Sequence, residues 1–224
     1  MLKELMAQIR AGEPVTREQA LSLSEEEPAA LSAAADTLRR EFCGSRFDMC
    51  TIVNGKSGQC SENCKFCAQS SHYQGEAETY SLLDGETLLE QAQYNEAKGV
   101  LRFAVVTSGK RLSDRELEAV CGSYRLMHER TGIALCASHG LLSEEQLRRL
   151  KAAGVTRYHN NLESSRRYFP QVCTTHTYDE KIATIRAAQR AGLQVCSGGI
   201  IGMGETREDR VDMALQLREL GIRS

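Results

Sequence analysis

The sequence predicts an α/β fold of parallel strands joined by helical crossovers, with a helical segment ahead of it. Three observations predict it. Short apolar runs alternate with longer stretches of helical period, and several of those stretches open on a cap-plus-acid pair. A glycine also stands just ahead of most later runs. Such alternation pairs strands in parallel through right-handed crossovers. A doubly wound sheet and a β/α barrel fit this pattern equally.

The elements follow in order. Thr16 with Gln19 has capping-box spacing, and Pro28 sits where a helix through Leu31, Ala35 and Leu38 would begin. Residues 1–45 therefore read as a helical segment and residues 46–224 as the α/β core. Strands are expected at Cys50–Val53, Leu101–Val106, Ile133–Ala137, Val155–Tyr158 and Leu193–Cys196. Ser113 with Glu116, Ser143 with Gln146, Thr177 with Glu180 and Thr206 with Asp209 start the helices between them. The last pair is the weakest, because aspartate is shorter than glutamate. Gly99, Gly132, Gly154, Gly192 and Gly221 are expected as left-handed helix stops. Gly221 then falls where a sixth strand is due. From its first strand onward the chain is shorter than the roughly 250 residues of an eight-unit barrel, so an incomplete set of about five units is expected.

Composition narrows the function. The chain has 224 residues, 41% of them hydrophobic and 26% charged, with a formal net charge of −2 and no long basic run. That balance points away from nucleic acid and anionic membrane surfaces. The sequence shows no apolar run near eighteen residues and no secretory leader, so a cytoplasmic protein is expected. Its nine cysteines then read as reduced thiols, some packed as small hydrophobes and some given to metal.

Spacing separates the two. After the first strand the sequence runs Asn54-Gly55-Lys56-Ser57-Gly58-Gln59 and then Cys60-Ser61-Glu62-Asn63-Cys64-Lys65-Phe66-Cys67. Zinc commonly takes four ligands, often as two separated pairs. Here one compact trio has no obvious fourth partner. It suits a 4Fe–4S cube with one iron left open to a chelating small molecule.

C-x3-C-x2-C after a first strand resembles the radical S-adenosylmethionine (SAM) superfamily. That resemblance implies an incomplete parallel β/α barrel of the TIM type and a cluster on Cys60, Cys64 and Cys67. It also implies that SAM, chelated at the open iron, is cleaved to a 5′-deoxyadenosyl radical. Further stretches resemble the biotin synthase family: Cys64-Lys65-Phe66-Cys67-Ala68-Gln69-Ser70, Tyr158-His159-Asn160-Asn161-Leu162-Glu163, Thr174-Thr175-His176-Thr177-Tyr178 and Val195-Cys196-Ser197-Gly198-Gly199-Ile200-Ile201-Gly202-Met203-Gly204-Glu205-Thr206.

This second resemblance implies sulfur insertion into dethiobiotin by a transferase with an auxiliary iron–sulfur cluster, 2Fe–2S or a variant. It also implies a flavodoxin- or ferredoxin-type electron donor and a homodimer. Cys136 and Cys196 match auxiliary ligands by position, although each lies in a short apolar strand where cysteine alone reads as core. Family members commonly carry another cysteine on the second strand, where this chain has Ala104. Cys50 is the expected substitute, ahead of Cys173 and Cys43, and Cys121 reads as core. The match further implies cofactor contacts from Phe66, Ser108, Gly109, Glu163, Gly202 and Glu205, and a substrate contact from Asn161. His72, His139, His159 and His176 are left without a role. Two rival readings share the first cluster motif: a related radical enzyme such as a hydrogenase maturase or amino-acid mutase, and a non-catalytic iron–sulfur fragment.

Overall fold

The computed structural model describes residues 1–223. Its core is one parallel sheet of β1 (Cys50–Lys56), β2 (Arg102–Thr107), β3 (Ala134–Ser138), β4 (Val155–His159) and β5 (Gln194–Cys196), in that spatial order. Helices α4 (Gly85–Ala97), α5 (Asp114–Arg130), α6 (Glu144–Ala152) and α8 (Tyr178–Arg190) make the crossovers, with a single turn, α7 (Phe169–Val172), ahead of α8. Helix α9 (Arg207–Glu219) follows β5. Ahead of the sheet lie α1 (Leu2–Arg10), α2 (Arg17–Ser22) and α3 (Pro28–Cys43). Arg17 ties α2 to Asp212 of α9 at 2.6 Å. No helix among the described residues is long and apolar enough to cross a membrane.

All five expected strands form, β1 running three residues further than its apolar run. The expected cap pairs close as full capping boxes at Thr16, Ser113, Ser143, Thr177 and Thr206. Two features differ. The sequence reading missed the cap of α4, Asp84, which accepts from Thr87 N at 2.9 Å. Gly132 is not a left-handed stop, because α5 already ends at an extended Thr131. Gly132 instead donates its N–H to Glu96 Oε1 at 2.6 Å. The other four glycines have the expected positive φ.

Side chains alternate across the sheet, and that alternation decides what faces inward. Phe103, Val105, Leu135, Ala137 and Tyr158 pack into the main core with Leu117, Tyr124, Leu147 and Leu150 of the helices. On the other face Cys50, Ile52, Arg102, Ala104, Val106, Cys136, Ser138, Arg157, His159 and Cys196 line a cavity of about 490 Å³.

Asp209, the shortest acid of the cap pairs, is the most deeply buried of them. Its Oδ1 accepts from Ser165 Oγ at 2.5 Å, and its Oδ2 from Arg167 Nη2 at 2.5 Å and Thr206 N at 2.9 Å. Burial would raise its pKa, but bonds from Ser165 and Thr206 outweigh this and hold it below the usual aspartate value. Asp209→Ala strands the buried Ser165 hydroxyl and the part-buried Thr206 N–H and should cost about 2–3 kcal/mol. Urea denaturation of the anaerobic protein checks this, with Asp209→Asn expected to lose less because it keeps an acceptor at the helix start.

Candidate active site

The loop after β1 is held on itself by its own backbone. Cys60 N donates to Gln69 O at 3.0 Å, Ser71 N returns to Cys60 O at 2.9 Å, and Cys67 N donates to Cys64 O at 3.0 Å. Gly58 opens the loop at φ +75°, with Thr79 where a side chain would stand. A second set of bonds fastens it to the segment after α7. Asn63 Oδ1 accepts from Thr174 N and Thr175 N at 2.9 and 3.2 Å, and Lys65 N donates to Val172 O at 3.0 Å. The three thiols therefore hang from a fixed frame rather than from a floppy loop.

Cys60, Cys64 and Cys67 share a cavity of about 220 Å³ with Thr107, Ser108, Gly109, Asn161, Glu163 and Lys181. Among the described residues these thiols are spread more widely than a 4.8 Å single-ion group. That spread suits a polynuclear cluster better than one ion. Burial, with Cys173 close by, raises the Cys64 pKa and keeps it a neutral thiol while no cation is present. Of the seven buried side-chain atoms without a hydrogen bond among the described residues, four border this cavity: Ser108 Oγ, Asn160 Oδ1, Glu163 Oε2 and His176 Nε2. Such orphans are rare in native interiors, and their concentration here fits a bound polar ligand.

Glu163 carries a further mark, a φ of +68° in a non-glycine residue. The turn after β5 holds it there. Glu163 N donates to Gly198 O at 3.2 Å, and Ile200 N donates to Glu163 O at 2.9 Å. A side chain at Gly199 would stand 2.8 Å from Glu163 O, so only glycine fits. Burial raises the Glu163 pKa, and Lys181, 3.7 Å away, opposes the rise.

Val106, Ser138 and His159 border both cavities and form the wall between them. His159 Nδ1 lies 3.1 Å from Ser138 Oγ and Nε2 lies 3.0 Å from Asn161 Oδ1. Burial lowers the His159 pKa, so the ring is neutral. Asn161 Oδ1 also accepts from Gly198 N at 2.9 Å. An oxygen can only accept, so Nε2 carries the ring proton and Nδ1 accepts from Ser138. One amide hydrogen of Asn161 is directed to the Glu163 carboxylate, which leaves the other to meet a ligand.

Beyond the wall, Cys136, Cys50 and Cys196 share the larger cavity with Arg102 and Arg157. Burial, with Cys50 and Cys196 nearby, pushes the Cys136 thiol up to about 12, so the three thiols sense one another. Cys136 pairs in register with Ala104 and Arg157. It therefore sits on the cavity face and not in the helix-packed core.

The radical SAM superfamily pattern matches residues 56–217. The chain is 55% identical to the biotin synthase of Akkermansia muciniphila over all of its length, covering 70% of that protein. It is also 55% identical to a biotin synthase of Clostridium botulinum over 96% of its length, covering 68% of the relative. The chain belongs to the biotin synthase family. Its fold is similar to the crystal structure of methylornithine synthase, with a TM-score of 0.84 and 17% identity over 97% of this chain and 65% of that one. It is also similar to HydG, a maturase of [FeFe]-hydrogenase, with a TM-score of 0.80 over 97% and 51%. As a member of the biotin synthase family within the radical SAM superfamily, the chain takes a 4Fe–4S cluster and SAM as cofactors.

The remaining expected residues lie further out. Phe66 is 40% exposed and borders an outer groove with Val172 and Met203. Glu205 accepts from Gly202 N, Met203 N and Arg210 Nε at 2.7–2.8 Å, which draws its pKa down to about 2. Gly202 and Glu205 thus fix the turn after β5. Cys121 is buried on α5, and Cys43 is exposed. The sequence reading does not single out Glu62, Arg157 and Lys181, and it leaves His159 without a role. Strand alternation in Val155-Thr156-Arg157-Tyr158-His159 could have found Arg157 and His159.

Proposed function

We propose that this chain performs sulfur insertion between two saturated carbons of dethiobiotin, giving biotin. One observation carries the reading: two thiol-lined cavities on the inner sheet face share a wall of Val106, Ser138 and His159. A carbon substrate near that wall would lie within reach of both. When bound, a 4Fe–4S cluster on Cys60, Cys64 and Cys67 with SAM supplies hydrogen abstraction from carbon, and an auxiliary cluster supplies sulfur.

The chain's own residues bind and orient. Glu163, with Oε2 lacking a donor, accepts from the vicinal hydroxyls of a ribose. Ser108 and Gly109, the latter at φ +107°, frame the methionine part. Phe66 flanks the adenine, and the turn fixed by Gly202 and Glu205 backs the adenosine. Asn161 turns its remaining amide hydrogen to the urea carbonyl of dethiobiotin, and neutral His159 holds that orientation. Cys50, Cys136 and Cys196 hold the auxiliary cluster, with Arg102 and Arg157 offsetting its negative charge. Cys50 stands on β1, one strand over from Ala104 and two residues earlier in register. A flavodoxin- or ferredoxin-type protein as electron donor and a homodimeric assembly belong to the same reading.

Anaerobic reconstitution with iron and sulfide, followed by SAM, reductant and dethiobiotin, tests it. Biotin should form, with 5′-deoxyadenosine released at least about tenfold faster when dethiobiotin is present, as substrate-gated chemistry requires. Cleavage of SAM with no biotin would overturn the reading in favour of a different radical enzyme.

A further inference from the structure

We propose that the cluster-free chain binds one thiophilic divalent cation, Zn²⁺ or Fe²⁺, through Cys64, Cys173 and His176, and that this site competes with the 4Fe–4S cluster for Cys64. The competition rests on the reading of Cys64 as a cluster ligand; the cation site does not. Among the described residues, these three are the one group of His, Cys, Asp or Glu ligand atoms lying within 4.8 Å of one another. His176 Nδ1 is 3.3 Å from Cys173 Sγ. Metal–sulfur and metal–nitrogen bonds of ordinary length place adjacent ligands of a tetrahedral zinc about 3.5–3.8 Å apart, so little movement is needed.

The site is built rather than incidental. Cys173 closes α7, His176 immediately precedes the Thr177 cap of α8, and both are buried. Phe169 packs on the imidazole with ring centres 5.6 Å apart. The Asn63 bonds to Thr174 and Thr175 hold this segment against the loop that carries Cys64. Glu62 Oε2 lies 2.6 Å from His176 Nδ1 and accepts from Thr175 Oγ1 at 2.8 Å. It holds the imidazole by this hydrogen bond from outside the group of mutually close ligand atoms, and the fourth position of the ion is left to solvent. Two thiolates and one neutral imidazole, with an open fourth position, form a donor set that zinc and ferrous iron both accept.

Binding replaces two S–H bonds by two metal–sulfur bonds and releases two protons, with no change in oxidation state. The resulting site is neutral overall, and Lys110 and Lys181 border the same cavity. Cys173, His176 and Glu62 lie outside the Cys60–Cys67 thiol trio. Cys64 alone is shared, and a sulfur directed to this cation is withdrawn from the cube.

Cobalt(II) added to the anaerobic apo chain reads the site directly. One equivalent should give the visible absorption of a tetrahedral ion together with thiolate-to-cobalt charge transfer. Cys173→Ala and His176→Gln should each weaken binding by about tenfold or more, while Cys67→Ala should retain it. Circular dichroism confirms that each variant is folded. Cobalt binding that survives Cys173→Ala, or that is lost in Cys67→Ala, would overturn the site by putting the ion on the loop trio. One equivalent of prebound Zn²⁺ should slow cluster assembly at least about tenfold in the wild type, but not in Cys173→Ala. Equal slowing in both would overturn the competition. Iron content and the electron paramagnetic resonance of the reconstituted Cys173→Ala protein report the cluster separately, so failure of the cluster assignment is distinguishable from failure of the cation site.

Discussion

Cys67→Ala should reduce both 5′-deoxyadenosine and biotin formation to background, a loss of at least about 10⁴-fold, or roughly 5 kcal/mol of barrier. The size follows from what one thiolate does. Three cysteines on one loop can hold three irons of a cube, and two leave it open at two corners. The fold should survive the change. Cys67 is only half-buried, and the loop is held by backbone bonds from Cys60, Gln69 and Ser71 that need no thiol. Thermal unfolding of the apo protein should move little, because a partly exposed thiol carries at most about 1 kcal/mol. Iron analysis and Mössbauer spectroscopy of the reconstituted variant should show loss of the 4Fe–4S signal with auxiliary iron retained. A Cys67→Ala protein that kept this cluster and cleaved SAM would remove Cys67 from the site.

Much of this architecture is legible in sequence because local chemistry encodes it. Ser113, Ser143 and Thr177 each supply an oxygen to a backbone N–H three residues on, and each helix begins there. C-x3-C-x2-C is readable for the same reason, since its ligands lie within eight residues of one another. Groups assembled from distant segments are harder to read. Lys181 sits on a helix, and only the turn that holds Glu163 reveals that it is a buried partner. His176 gains its meaning from Glu62 and Cys64, more than a hundred residues upstream. Gly132 marks the limit of a glycine rule applied by position alone: Thr131 had already ended the helix.

Cys196→Ala should separate the two halves of the reaction. Biotin should fall by about 100-fold or more, while SAM cleavage stays within a few-fold of the wild type. Cys196 lies on β5 opposite His159, across the wall from the Cys60–Cys67 loop, and lines the cavity of the other thiol trio. Its removal leaves the SAM cavity and its polar lining in place. Cys136→Ala should behave alike, with an added stability cost of about 1–2 kcal/mol because that side chain is buried. Cys50→Ala carries the sharper test, since Cys50 is exposed and its loss should cost little stability. Reduced iron and sulfide in Cys50→Ala, with the 4Fe–4S signal intact, would place it among the auxiliary ligands. Unchanged content would leave Cys136 and Cys196 to find another partner in a cavity where β2 offers Ala104. Cys43→Ala is the matched control: an exposed thiol at the end of α3, outside both cavities, whose removal should change neither iron content nor biotin formation. If the Cys50, Cys136 and Cys196 variants lost biotin together with SAM cleavage, the division of labour between the two cavities would be wrong, because a pure sulfur donor is not needed to break the sulfonium bond.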